Sequence, residues 1–234
     1  MDLGAVDGLA TRWLTLADVG EPLVVGFDLD LTLIDSRPGI AATFRVLSAE
    51  TGVYIDADAT VTRLGPPLAV EMAYWFPPEE VETASDHYRR LYPSTAIDTS
   101  PQMPGAALAV EAVRSYGGSP VVITGKYAPN ARLHLTHLGL DVDAVAGNAW
   151  ADGKVAAMLE YGVRIYVGDH PGDMMSAVGA GAHAVGVLTG HHTAAELIEA
   201  GAGAVLESLI DFPAFLDAYL GSEEISVGLG QPDR

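Results

Sequence analysis

The stretch Leu23-Val24-Val25-Gly26-Phe27-Asp28-Leu29-Asp30-Leu31-Thr32-Leu33, entered through Pro22, joins an apolar run to an alternation of acids and leucines. A continuous apolar run of this length suits a strand covered on both faces of a parallel sheet. Beyond Phe27, residues two apart lie on one side of an extended chain, so Asp28, Asp30 and Thr32 share a face with Cα atoms roughly 6.6 Å apart per pair. An edge strand with a wet side would alternate in the same way. Aspartate is disfavoured within strands, however, and two acids at the carboxyl end of a buried strand fall where open α/β sheets bind ligands. The gap between them suits a phosphoryl group flanked by a nucleophilic Asp28 and a proton-donating Asp30.

Outward from this strand, similar runs recur at Pro120–Thr124, Asp143–Ala146, Val163–Val167 and His183–Val187. Helical segments separate them. Pro104 to Tyr116 has proline in its first turn and stops before Gly117, and Pro129 to Leu138 stops at Gly139. Alternating strands and helices predict an α/β fold with a doubly wound parallel sheet. Residues 36–102 interrupt the alternation with no good strand. Ile40, Phe44 and Leu47 share a helical face, as do Leu68, Met72 and Trp75, and Pro77-Pro78-Glu79-Glu80 reads as a helix start. The expected organisation is therefore an N-terminal helix within residues 1–20, a core from 21–35 and 103–222, a helical insertion at 36–102, and a loose tail at 223–234.

Composition narrows the chemistry. The 234 residues include no cysteine, which excludes disulfides, thiolate metal ligands and a thiol nucleophile. Twelve basic against 31 acidic residues give a formal charge of -19, so nucleic acid and anionic membranes are repelled at long range. The N-terminal residues show no signal or transit pattern and no apolar run is long enough to span a bilayer, which predicts a soluble cytoplasmic protein. Lysine occurs only at 126 and 154, so the position of each is informative.

Two further clusters sit at strand ends. Gly168-Asp169-His170-Pro171-Gly172-Asp173 follows the strand ending at Val167. Either acid there could simply cap the next helix, but together with Asp28 they form an all-oxygen set that suits Mg²⁺. Thr124-Gly125-Lys126 follows another strand and offers a hydroxyl, backbone N–H groups and an ammonium to phosphate oxygens. Lys154 opens a helix; alone it would be a solvated lysine, but a carboxylate and a phosphate brought together require a fixed cation. The histidines receive no ligand role: His134 and His137 fit a helix surface, and His191-His192 precede a capping box starting at Thr193. Tyr74, Trp75 and Phe76 read as packing within the insertion.

These residues resemble the haloacid dehalogenase superfamily, specifically its phosphatases similar to phosphoglycolate phosphatase. That family carries Asp-x-Asp-x-Thr, a Thr or Ser after the second strand, a lysine and a paired-acid motif. Here they stand in order as Asp28-Leu29-Asp30-Leu31-Thr32, Thr124, Lys154, and Asp169 with Asp173. The resemblance runs from residue 21 to about 218. It implies a Rossmann-like core with a helical cap. It implies that Asp28 becomes an aspartyl-phosphate, that Asp30 protonates the leaving alkoxide and then activates water, and that Thr124 and Lys154 hold the phosphoryl oxygens. Mg²⁺ would be bound by Asp28, the Asp30 main-chain carbonyl and Asp169, with Asp173 close by. The fourth position of the Asp-x-Asp-x-Thr signature is Leu31, where many relatives have glycine. Lys126 is an alternative for the lysine role.

The implied activity is Mg²⁺-dependent hydrolysis of a small phosphorylated metabolite. Sugar-phosphate mutases of the superfamily share every core motif and stay as an alternative. A receiver-like phosphoacceptor module also has strand-end aspartates, a Thr and a Lys, but has no use for Asp30 or for a long insertion. Dehalogenases lack the acid at the position of Asp30, and phosphonate hydrolases need a lysine that residues 36–102 do not contain. Within the insertion, Arg63 precedes Gly65-Pro66-Pro67-Leu68, a segment that reaches over the site in similar enzymes. The expectation is that Arg63, with Arg37 or Arg45, reads a substrate carboxylate or second phosphate by a bidentate contact.

Overall fold

The computed structural model describes residues 22–228. The expected helix within 1–20 lies outside the described residues. Strand β1 is Val24–Phe27, and the chain then turns into α1 (Arg37–Thr51), α2 (Ala57–Thr60), α3 (Leu68–Met72) and α4 (Val81–Thr95) before reaching α5 (Ala106–Ser115) and β2 (Ser119–Ile123). Strict alternation follows: α6 (Ala128–Leu138), β3 (Ala144–Ala146), α7 (Asp152–Tyr161), β4 (Ile165–Gly168), α8 (Pro171–Gly179), β5 (His183–Val187), α9 (Ala194–Glu199), β6 (Ala204–Leu206) and α10 (Phe212–Gly228).

The six strands among the described residues form one parallel sheet in the order β3-β2-β1-β4-β5-β6. β1 therefore lies in the interior, which explains why Val25 and Phe27 are fully buried. Helices cover both faces. One apolar layer gathers Phe27, Val122, Val167, Phe212 and Leu216, and the other gathers Val121, Ile123, Met158, Tyr166 and Met174. Burying such a side chain fully contributes about 1.5–3 kcal/mol. The helices between β1 and β2 have a third cluster of their own, with Ile40, Phe44, Leu47, Met72, Phe76 and Tyr88 at its centre. The periodicities around Ile40 and Leu68 mark the buried faces of α1 and α3.

Several local expectations change. β6 has only three residues after Gly203, too short for its apolar content to stand out from a loop. α10 continues helically to Gly228, into the segment expected to be a loose tail; residues 229–234 lie outside the described residues. His134 is not on the surface of α6: it is fully buried and shares a hydrogen bond of 3.0 Å with the Tyr92 hydroxyl of α4. Gly139 ends α6 as expected, at a φ of 66°. No helix among the described residues is long and apolar enough to cross a membrane.

Gly26 in β1 has a packing reason to lack a side chain. A Cβ there would stand 2.7 Å from the ring of Tyr166 in β4. The vacant space lets Tyr166 pass beneath β1 and donate its hydroxyl to the Ile123 carbonyl of β2, at 2.6 Å.

Candidate active site

The register aligns Phe27 with Val122 on one side and Val167 on the other, so the carboxyl ends of β2, β1 and β4 finish side by side. The residues that follow them, Asp28, Thr124 and Asp169, meet at one place above the sheet. Asp28 continues the ladder, donating its N–H to the Val167 carbonyl at 2.8 Å, and its side chain is therefore fixed at the mouth of the sheet.

The chain beyond Asp28 closes into a tight turn, in which the Leu33 and Ile34 N–H groups both donate to the Leu29 carbonyl at 3.0 Å. Leu31 has a φ of 61°, the left-handed region that suits glycine, and its side chain is buried. The turn is held from outside by the Thr189 hydroxyl, which donates to the Leu31 carbonyl at 2.5 Å.

Asp28, Asp169 and Asp173 are all buried, and they can present one carboxylate oxygen each within 4.8 Å of one another. Gly168 and Gly190 make room: a Cβ at the first would strike the Asp173 carboxylate, and at the second that of Asp169. Thr32 donates its hydroxyl to Asp169 at 2.9 Å. Asp173 also accepts the His170 N–H at 3.3 Å, so it caps α8 as well as joining the cluster. Lys154, in the first turn of α7, donates to Asp28 at 2.9 Å and to Asp173. Its ammonium lies 5.6 Å from the centroid of the Tyr166 ring.

One ammonium among three buried carboxylates leaves an excess of negative charge. Desolvation by burial, reinforced by the Asp173 charge and opposed by Lys154, pushes Asp28 up to about 7. Burial and the charges of Asp28 and Asp173 push Asp169 well above the usual carboxylate range. Burial alone would lower Lys154, but Asp173 and Asp28 together push it well above the usual lysine value. Three hard oxygen donors with uncompensated charge fit a divalent cation such as Mg²⁺.

Lys126 goes elsewhere. Its ammonium donates to Asp30 at 2.7 Å and lies 4.7 Å from the centroid of the Tyr92 ring, so Lys154 alone of the two lysines meets Asp28. Burial works to raise Asp30, but the charge and hydrogen bond of Lys126 outweigh it and hold Asp30 below its ordinary value. Thr124 is buried and its hydroxyl accepts the Lys126 N–H at 3.2 Å; Gly125 lines the cavity beside it.

A cavity of about 300 Å³ lies between these strand ends and the inserted helices, and Asp28, Asp30, Thr124, Lys154 and Asp169 all line it. Arg63 lines it too, with its fork closed: Nε and Nη2 donate to Glu71 at 3.0 and 2.6 Å. Arg37 is paired with Asp35 and Arg45 with Asp58. Of the aromatic residues first considered, Phe76 packs inside the insertion and Trp75 donates to Glu71, while Tyr74 is exposed. Phe44, noted in the sequence for its helical face, lines the cavity, and so do Tyr88, Tyr92 and Trp150, to which the sequence reading gave no role, although Tyr88 and Tyr92 have the i, i+4 spacing of one helix face.

The chain matches the haloacid dehalogenase-like hydrolase family over residues 25–187. It is 30% identical over 142 residues to tyrosine-protein kinase PtkA of Mycobacterium tuberculosis, a stretch covering 59% of this chain and 48% of that protein. The chain thus spans about half the length of the curated relatives it matches. Among solved structures, a predicted phosphatase from Clostridium acetobutylicum superposes with a TM-score of 0.72 at 24% identity, covering 84% of this chain and 99% of that one. A predicted phosphoglycolate phosphatase from Haemophilus somnus gives a TM-score of 0.72 at 18% identity, with 83% and 98% covered. With the fold, the strand-end acids and the family match in agreement, this chain belongs to the haloacid dehalogenase-like hydrolases.

Proposed function

We propose that the protein is a Mg²⁺-dependent phosphatase of small phosphomonoesters, acting through an aspartyl-phosphate on Asp28, with the inserted helices 36–102 as a cap over the site. The observation that carries this reading is the convergence of Asp28, Asp169 and Asp173 on one spot with Lys154 bridging Asp28 and Asp173. Asp28, the Asp30 main-chain carbonyl and Asp169 would hold the ion, with Asp173 close by; when bound, it supplies the positive charge that lets two anions approach.

The Asp28 carboxylate attacks phosphorus, and the bond from phosphorus to the ester oxygen breaks. Asp30 gives its proton to that leaving oxygen. Lys126 keeps Asp30 ionised in the absence of substrate, but an arriving phosphate dianion adds a like charge beside it and favours the protonated form. Once the alcohol has left, the Asp30 carboxylate takes a proton from water, whose oxygen attacks phosphorus and frees Asp28. The Thr124 hydroxyl, the Gly125 N–H and the Lys154 ammonium hold the phosphoryl oxygens, while Thr32 orients Asp169. Such a site works by positioning and charge neutralisation, most of what phosphoryl transfer requires.

A panel of phosphomonoesters assayed for phosphate release with Mg²⁺, with excess chelator, and with Asp28→Asn tests the reading. Release that disappears in both controls is expected, and for Asp28→Asn the fall should be roughly 10³-fold or more. Release that survives Asp28→Asn would remove the nucleophile assignment.

A further inference from the structure

We infer that the leaving group of the substrate is uncharged and largely apolar, an aryl or arylalkyl alcohol, and that esters carrying a carboxylate or a second phosphate are disfavoured. This rests on the phosphatase reading and specifies the substrate class of the same cavity.

The first observation concerns charge. Four cations line the cavity, and each already has a carboxylate partner: Arg63 with Glu71, Arg89 with Asp86, Lys126 with Asp30, and Lys154 with Asp28 and Asp173. Lys154, like the cation when bound, would serve the transferred phosphoryl group. Among the described residues each of these charges is thus already engaged, and what Arg89 keeps is a single enclosed N–H, its Nε, without a partner. A second anion would meet that one N–H, too little for the bidentate contact a carboxylate or phosphate makes with a free guanidinium, or would have to break an existing pair, which is costly.

Arg63 is the decisive case, because it is the cation that a carboxylate-bearing ester would call on. Glu71 accepts from both arms of its fork and also from the Trp75 indole N–H at 2.9 Å, so three donors fix the carboxylate that occupies the guanidinium. The Tyr74 ring covers the guanidinium at 4.8 Å. The bidentate contact expected for a substrate carboxylate is made inside the protein.

The second observation concerns what faces the leaving group instead. Phe44, Leu64, Leu68, Tyr88 and Trp150 border the cavity on the side of the insertion and the loop before α7. Apolar and aromatic side chains of this kind accommodate an aromatic ring by burial and offset or edge contacts. The same charge balance argues against a sugar-phosphate mutase, whose bisphosphate intermediate requires a second phosphate site.

The test compares benzyl phosphate with 2-phosphoglycolate, since both release a primary alcohol. Phosphate release should favour benzyl phosphate in kcat/KM by roughly tenfold or more. In Asp28→Asn, titration calorimetry with Mg²⁺ present should give the same order of affinities, independent of turnover. Arg63→Gln should leave the ratio of the two esters unaltered, whereas Glu71→Gln, which frees the Arg63 fork, should shift it towards 2-phosphoglycolate. A wild-type preference for 2-phosphoglycolate, or a loss of that ester's relative rate in Arg63→Gln, would overturn the inference while leaving the phosphatase in place. Absence of release from every ester with the binding order intact would instead remove the phosphatase reading and support the lining as described.

Discussion

Leu31 shows how a single residue can conflict with its backbone and still be retained. Its φ of 61° places it where an L side chain is strained by roughly 1–2 kcal/mol, yet its side chain is as buried as those of Leu29 and Leu33. Burial and the Thr189 hydroxyl on its carbonyl hold the turn against that strain. Replacing a buried leucine with glycine normally loses the whole side-chain contribution and adds backbone freedom to the unfolded chain. At Leu31 part of that loss is returned as relieved strain. Urea unfolding should therefore show Leu31→Gly to be less destabilising than Leu33→Gly by about 1–2 kcal/mol; equal losses would mean that the turn is not strained. The residues of the site were legible at this scale because Asp28, Asp30, Thr124, Asp169 and Asp173 directly follow apolar strands, and strand ends are visible in a sequence. Their partners were not. Lys126 pairs with Asp30 across 96 positions and Arg63 turns to Glu71 on a neighbouring short helix, and neither choice leaves a periodic trace.

Between elements, the seam of α4 and α6 carries an unusual burden. Tyr92 and His134 share a hydrogen bond there, and the other ring nitrogen of His134, Nδ1, is enclosed without a partner. Burial, helped by the Lys126 charge, pulls His134 down from 6.5 to about 4. A histidine that stays neutral in the fold but charges when unfolded stabilises the native state fully above pH 6.5, and that contribution is lost as pH falls towards about 4. The full swing is about 3 kcal/mol. Measured against pH over that window, the urea midpoint should fall less steeply in His134→Gln, which cannot titrate; identical slopes would show that His134 does not titrate as described. From the sequence, His134 was expected on a helix surface. Only the packing of α4 from the insertion against α6, elements brought together by tertiary structure, buries it. Strand and helix order, by contrast, was readable from apolar runs and from Gly117 and Gly139, except for the three residues of β6.

At the scale of the whole molecule, a strongly acidic chain concentrates three carboxylates beyond the carboxyl ends of its middle strands, and the fold is least comfortable there without a cation. Adding Mg²⁺ at about a hundred times its dissociation constant should stabilise the native state by about 2.7 kcal/mol, a rise in Tm of roughly 5–10 °C. Asp169→Asn should abolish most of that rise; a shift of undiminished size would place the ion elsewhere. The strand order has a temporal consequence as well. Among the described residues β1 is the first strand but takes an interior place, and its neighbours β2 and β4 come much later. On the ribosome, Asp28 emerges well before Lys154, Asp169 and Asp173 and must wait for them, so the nascent polypeptide can bind no ion at this centre until the start of α8 has been added.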